Sequence, residues 1–311
     1  MGHSCRFLHL SHLAHRSHLA IKHAYTTTPN SLTFLIHEVK EVGSAARWRS
    51  APLDHWSVLH RIRLQGHLIS PLLQVPWIQA DCFKTDWLHC ADLGVAADFI
   101  GNVLHVVRDI VPGPSAEARV QVLSDMLLDW YERHHVQDRL DVLLLSLFEQ
   151  RGKGHKLRGG AAKIRAMVPW IHHVCNLLLS PLHPYHGSIR AAAACLARVY
   201  DTLREDSFES LDAARAESTK FAVLVVACHE HVHHLDDRCW RLKPKLHQFL
   251  HLCGDGNRPA RFWNYRDEEF GGGVARRARR RGGLLSATAV SKVVLNRFWM
   301  QHPGFSMRKH Q

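Results

Sequence analysis

The sequence predicts a mainly α-helical protein, on three observations. Apolar residues recur every three or four positions over long stretches, the spacing of a single helix face. Alternating apolar and polar runs of the strand type are sparse. Proline and glycine clusters cut the chain into pieces of helix length.

Taken in order, residues 1–75 read as an irregular N-terminal region. Glu38 is the first acid, and Arg6, Arg16 and Lys22 precede it. That basic, acid-poor make-up resembles a transit peptide, although an unstructured tail is the simpler reading. Within the region, Trp56 to Leu68 is predicted as a short helix between Pro52 and Pro71. Residues 76–300 are predicted as one helical domain and 301–311 as a tail.

The domain's first long helix begins at Asp86. Leu88, Ala91, Val95, Phe99, Val103 and Val107 mark its apolar face. Asp86 stands where an acid caps free N–H groups and meets the positive end of the helix dipole. Gly94 and Gly101, seven apart, share a face and permit close packing. Pro112-Gly113-Pro114 ends the element. Ser115 caps a second helix to about His134, and Asp138 to Gln150 reads as a third, very apolar one.

Arg151-Gly152-Lys153-Gly154-His155-Lys156 reads as a solvated basic turn, and it lacks the G-K-[ST] ending of a phosphate-binding loop. Ala161 to Ser180 and Ser188 to Arg204 are predicted helices on either side of Pro181-Leu182-His183-Pro184. Ser207 to Cys239 is one long helix or two, with Phe221 to Cys228 also compatible with a buried strand. Leu242 to Leu252 reads as a short amphipathic helix, Tyr265 onward as helical, and Ser286 to Met300 as a final helix.

Charge points to an anionic partner. The chain has 311 residues and a formal net charge of +12, and nucleic acid is the usual partner of such a surface. Its 27 histidines run from His3 to His310, so most cannot belong to one site. None of the eight cysteines pairs at C-x-x-C spacing, which favours a reducing compartment, nuclear or cytoplasmic. The longest apolar runs, Val142 to Phe148 and Phe221 to Cys228, are too short to span a bilayer, so no membrane partner is expected. The oligomeric state is not legible.

Three motifs carry chemistry. His229-Glu230-His231-Val232-His233 fits H-E-x-x-H: His229 and His233 would share a helix face and hold zinc, with Glu230 as general base. A non-catalytic zinc site drawn from Cys228, His231, His234 or Cys239 is a further reading of the same region. In the second motif, Arg276, Arg277, Arg279, Arg280 and Arg281 form a basic run suited to DNA phosphates or to nuclear import.

The third is a set of carboxylates in two distant segments. One is Thr85-Asp86-Trp87-Leu88-His89, followed by Asp92-Leu93-Gly94-Val95 and Phe99 to Leu104. The other is Lys243-Pro244-Lys245-Leu246-His247, running through Arg261-Phe262-Trp263 to Asp267-Glu268-Glu269. Together they resemble the later part of the catalytic core of CACTA- and Plavaka-like DDE transposases. The resemblance covers roughly residues 77–300.

It implies a helical, bundle-like insertion in a partial RNase H-like α/β core. It implies Asp86 as the second metal-binding acid, Glu268 or Glu269 as the third, and His89 as a neighbour that orients Asp86 or faces DNA. Lys243, Lys245 and the arginine run would contact DNA. Such enzymes use two divalent ions, Mg²⁺ or Mn²⁺, to activate attacking and leaving oxygens. The first acid belongs on an upstream strand, and Asp54 and Asp81, the upstream aspartates, lie in no strand-like run. The expectation is therefore a transposase-derived DNA-binding protein whose catalysis is lost or incomplete. A zinc metalloprotease-like protein or a basic helical interaction protein are the alternatives.

Overall fold

The computed structural model describes residues 55–64, 69, 71–78, 85–149, 154–203, 208–232 and 234–254, together with positions 264, 265, 268, 271, 272 and 296. The chain divides into two compact units, Met1–Trp263 and Asn264–Gln311. Among the described residues the architecture is mainly helical and contains no strand, so the expected partial RNase H-like α/β core finds no support there.

In the first unit, α1 spans His55–Leu64 and a short 3₁₀ turn spans Pro71–Gln74. A π-helical segment, Leu88–Ala96, runs directly into α2, Ala97–Arg108. Then follow α3 (Ala116–Arg133), the four-residue α4 (Leu145–Phe148), α5 (Ala161–Leu178), α6 (Pro184–Thr202), α7 (Phe208–Val232) and α8 (Pro244–Gly254).

Local chemistry marks two of the helix starts. Ser115 Oγ accepts from Ala118 N–H at 3.2 Å and starts α3. Pro184 opens α6 at a position that has no use for an N–H, so the helix starts before the Ser188 expected from sequence. Ser207 to Cys239 resolves into one helix through Val232 and a run of turns, with no strand at Phe221 to Cys228.

The apolar stretch Asp138 to Gln150 is not a helix beyond the single turn α4. Its backbone finds partners on α3 instead: Leu143 N–H donates to Ser124 Oγ at 3.1 Å, and Leu140 N–H faces Tyr131 Oη at 3.5 Å. Leu140, Leu143 and Phe148 are buried while Val142 and Leu144 are exposed, so this stretch lies along the bundle as irregular chain.

The π/α2 segment lies at the centre. Trp87, Ile100, Val103, Leu104 and Val107 are fully enclosed, packed with Leu123 and Leu127 of α3, Ile171 and Val174 of α5, and Phe221 and Phe249 of α7 and α8. By length and composition Leu88–Arg108 is the one described stretch able to cross a membrane; 78% of it is buried inside the fold, as a core helix would be. The described cysteines Cys90, Cys175, Cys195, Cys228, Cys239 and Cys253 are free and buried, and burial pushes their thiols above the usual range.

Candidate functional sites along the central helix

Asp86 caps the central helix. Its Oδ1 accepts from Leu88 N–H at 3.1 Å and its Oδ2 from His89 N–H at 2.8 Å. His89 Nδ1 lies 2.5 Å from the same Oδ2. Burial alone would raise the Asp86 pKa, but the His89 side chain and the His89 and Leu88 amides outweigh it and hold the carboxyl below its ordinary value.

Beyond this cap the helix opens into the π form, a departure that frequently marks functional positions. Ala97 N–H reaches five residues back, to Asp92 O, and so passes over Leu93 O, its usual α-helical partner. Lys156 Nζ supplies the missing bond, donating to Leu93 O at 2.6 Å. Lys245 Nζ likewise donates to His89 O at 2.7 Å. Asp92, wholly buried inside the π segment, accepts from Tyr200 Oη at 2.6 Å and from Trp87 Nε1 at 3.3 Å.

These bonds bring the two distant sequence segments together. Besides the Lys245–His89 bond, Cys90 Sγ faces Lys245 O at 3.5 Å, and Lys243 Nζ pairs with Asp98 Oδ1 at 2.7 Å. Gly94 allows this contact, because a Cβ there would stand 2.7 Å from Lys245 Cδ. A small cleft beside the contact is lined by Asp98, Trp240, Arg241, Lys243 and Lys245, with Phe99 and Phe221 behind them. Lys156 is within 4.0 Å of Asp98 at the same place. Two lysines, Lys243 and Lys156, therefore flank Asp98, while Arg241 pairs with Asp237 at 3.1 Å. Burial holds the Lys156 ammonium below its usual range; Asp98 opposes the shift, and Lys245 and Lys243 add to it.

The other end of α2 carries a second cluster. His105, His155 and Cys239 present ligand atoms within 4.8 Å of one another. The segment bearing His155 crosses α2 at Gly101, where a Cβ would meet Lys156 Cα at 2.5 Å, and Leu157 N–H donates to Ala97 O at 2.9 Å. The second half of the expected solvated turn is thus buried: His155 is only 5% exposed. Residues 151–153 lie outside the described residues.

The remaining expected site residues are placed as follows. His229, Glu230 and His231 lie near the end of α7, where His229 Nδ1 is 3.1 Å from Trp240 O, and His233 lies outside the described residues. Glu268 belongs to the second unit, where its N–H donates to Asn264 O at 2.9 Å. Glu269, Arg276, Arg277, Arg279, Arg280 and Arg281 lie outside the described residues.

The carboxylates of the π/α2 segment do not fit a two-ion Mg²⁺ or Mn²⁺ centre, which needs several hard oxygens turned toward the ions. Asp86 caps its own helix, Asp92 is closed in by Tyr200 and Trp87, and Asp98 pairs with Lys243. Asp92, Asp98, Asn102, His105 and Lys156 went unread as site residues in the sequence. No local signal distinguishes them from ordinary helix and loop positions. No protein-family model matches the chain, and no curated protein or solved structure does either.

Proposed function

We propose that this chain is a transposase-derived protein that binds nucleic acid through its phosphates and does not cut it. The observation that carries the reading is the meeting of the two transposase-like segments. Asp86-x-x-His89 and Lys243-Pro244-Lys245 are more than 150 residues apart in sequence, yet Lys245 Nζ donates to His89 O across 156 positions. A shared transposase-type core requires such a contact.

The basic cleft beside that contact supports phosphate binding. Lys156, Arg241, Lys243 and Lys245 leave an excess of positive charge after Asp98 and Asp237, the partner of Arg241, are both counted. Such contacts give affinity without reading bases, because every nucleotide carries the same phosphate. The arginines from Arg276 to Arg281 add further positive charge in the sequence. Asp86, Asp92 and Asp98 are engaged in a helix cap, buried hydrogen bonds and an ion pair, which supports binding without cutting.

The test is fluorescence anisotropy of a labelled DNA duplex across a salt series, with a nicking assay in Mg²⁺ or Mn²⁺ alongside. Wild type should bind with strong salt dependence and leave the duplex intact. Lys243→Ala/Lys245→Ala should lower the slope of log K against log salt by about one to two. Binding insensitive to salt would remove the proposal. Nicking lost in Asp86→Ala and in Glu268→Ala/Glu269→Ala would replace it with an active DDE enzyme.

A further inference from the structure

We infer that His105, His155 and Cys239 form a zinc-class metal site, an inference that does not rest on the transposase reading. Two imidazoles and one thiolate are the donors a borderline-soft divalent ion such as zinc selects, and three protein ligands leave its fourth position to water.

The geometry supports this in four ways. First, the three ligands come from three separate segments that the fold deliberately joins. His105 is on α2, His155 is on the chain crossing at Gly101, and Cys239 is in the turns after α7. Buried Asn102 ties them together: its Nδ2 donates to His155 O at 3.3 Å, and its Oδ1 accepts from Trp240 N–H at 2.7 Å. One side chain therefore positions the backbone of one ligand and the neighbour of another.

Second, His155 is buried with neither ring nitrogen hydrogen-bonded. A buried polar atom without a partner costs roughly 1–3 kcal/mol, and a metal bond is the partner that imidazole nitrogen suits best.

Third, His105 is already oriented as metal-binding histidines are. Glu149 Oε1 is 2.6 Å from His105 Nδ1 and also accepts from Arg108 Nη1. A carboxylate that accepts from Arg108 makes Nδ1 the donor, so the neutral ring carries its lone pair on Nε2. A carboxylate behind a histidine in this way fixes the tautomer and raises ligand basicity. The two rings stack with centroids 3.8 Å apart, so they are neighbours and must tilt out of the stack for both in-plane lone pairs to reach one ion.

Fourth, the residue beside Cys239 is strained. Trp240 has φ of 49°, a left-handed conformation that a bulky side chain rarely adopts. It is held there by Asn102 and by Tyr185 Oη, which accepts from Trp240 Nε1 at 2.7 Å. Such strain persists only where the surroundings impose it, and it concentrates at working sites.

Bond lengths to zinc require ligand atoms roughly 3.4–3.7 Å apart, so the side chains must draw in by about 1 Å on binding. The thiol of Cys239, pushed up to about 11 by burial and then by Asp236, loses its proton to solvent as the sulfur–metal bond forms.

The experiment uses the full chain, treated with chelator and titrated with Co²⁺ and then Zn²⁺. Cobalt should bind at one equivalent with a thiolate charge-transfer band, and zinc should displace it. Cys239→Ser should abolish the band. His155→Ala should weaken binding at least about tenfold, and Glu149→Gln about tenfold through the tautomer it fixes. Circular dichroism establishes that each variant is folded, and the wild-type spectrum decides the matter even where a variant is not. Absence of a thiolate band in wild type overturns the site. So does a band that survives unchanged in Cys239→Ser, because it would belong to another cysteine. Cobalt bound without sulfur, as by surface histidines, overturns it equally.

Discussion

The two ends of the central helix treat their polar groups in opposite ways. At the Asp86 end, both carboxylate oxygens accept from the turn they cap, and the carbonyls of Leu93 and His89 accept from Lys156 and Lys245. At the His105 end, His155 is buried with two unbonded ring nitrogens beside a free thiol. Satisfied polar groups stabilise a structure and explain themselves. Unsatisfied ones need a further reason, and a bound ion is one. Asp86 is satisfied within the turn it caps, whereas the unbonded nitrogens of His155 are the groups that call for a further partner.

The comparison breaks most easily where the two ends depend on one contact. Gly101→Val would drive a side chain into the backbone at Lys156 and Leu157, 2.5–2.7 Å from the new Cβ. We expect a loss of about 3 kcal/mol in urea unfolding, and loss of cobalt binding with it. A stability within 1 kcal/mol of wild type would mean that the crossing segment is not fixed as described.

A smaller and more telling change is His155→Leu. In chelator-treated protein it removes two orphaned nitrogens from the interior and should stabilise by about 1 kcal/mol. In zinc-loaded protein the sign reverses, because the wild type alone gains from the ion. Thermal melts with and without zinc measure both, and the same sign in both conditions would sever the cluster from metal.

The mildest test is Asp86→Ala, expected to cost about 1 kcal/mol as a lost helix cap. Because the folded pKa is lowered, this contribution is fully present above the unfolded carboxyl pKa and is lost as pH falls through the folded value. Wild type and variant should therefore converge below about pH 4, while Asp86→Asn keeps part of the cap throughout. A constant gap from pH 7 to pH 3 would assign the effect to something other than this carboxylate.

Much of the helical framework is legible in the sequence, for local reasons. Ser115 and Asp86 announce helix starts because capping chemistry acts within a few residues, whereas Pro184 and Pro244 open helices expected to start at Ser188 and Leu242. Asp138 to Gln150 misleads because its amides bond Ser124 and Tyr131, partners that composition cannot reveal. His155 misleads differently. Glycines and lysines around it suggest a solvated loop, yet Gly101 on a helix far upstream lets that loop sink against α2. The π segment has no sequence signal at all. The Lys243–Asp98 and His155–Asn102 contacts likewise depend on tertiary folding across 145 and 53 positions.

The π segment also gives the helix a spare residue. Deleting one position within 88–96 would let the ladder close in ordinary α-helical spacing and return Leu93 O to Ala97 N–H. Lys156 would then be released from its structural duty and its ammonium freed. This core helix, unlike most, can therefore absorb a one-codon deletion downstream of its cap with α2 kept in register, and such a shortened protein would carry more mobile charge at its basic cleft.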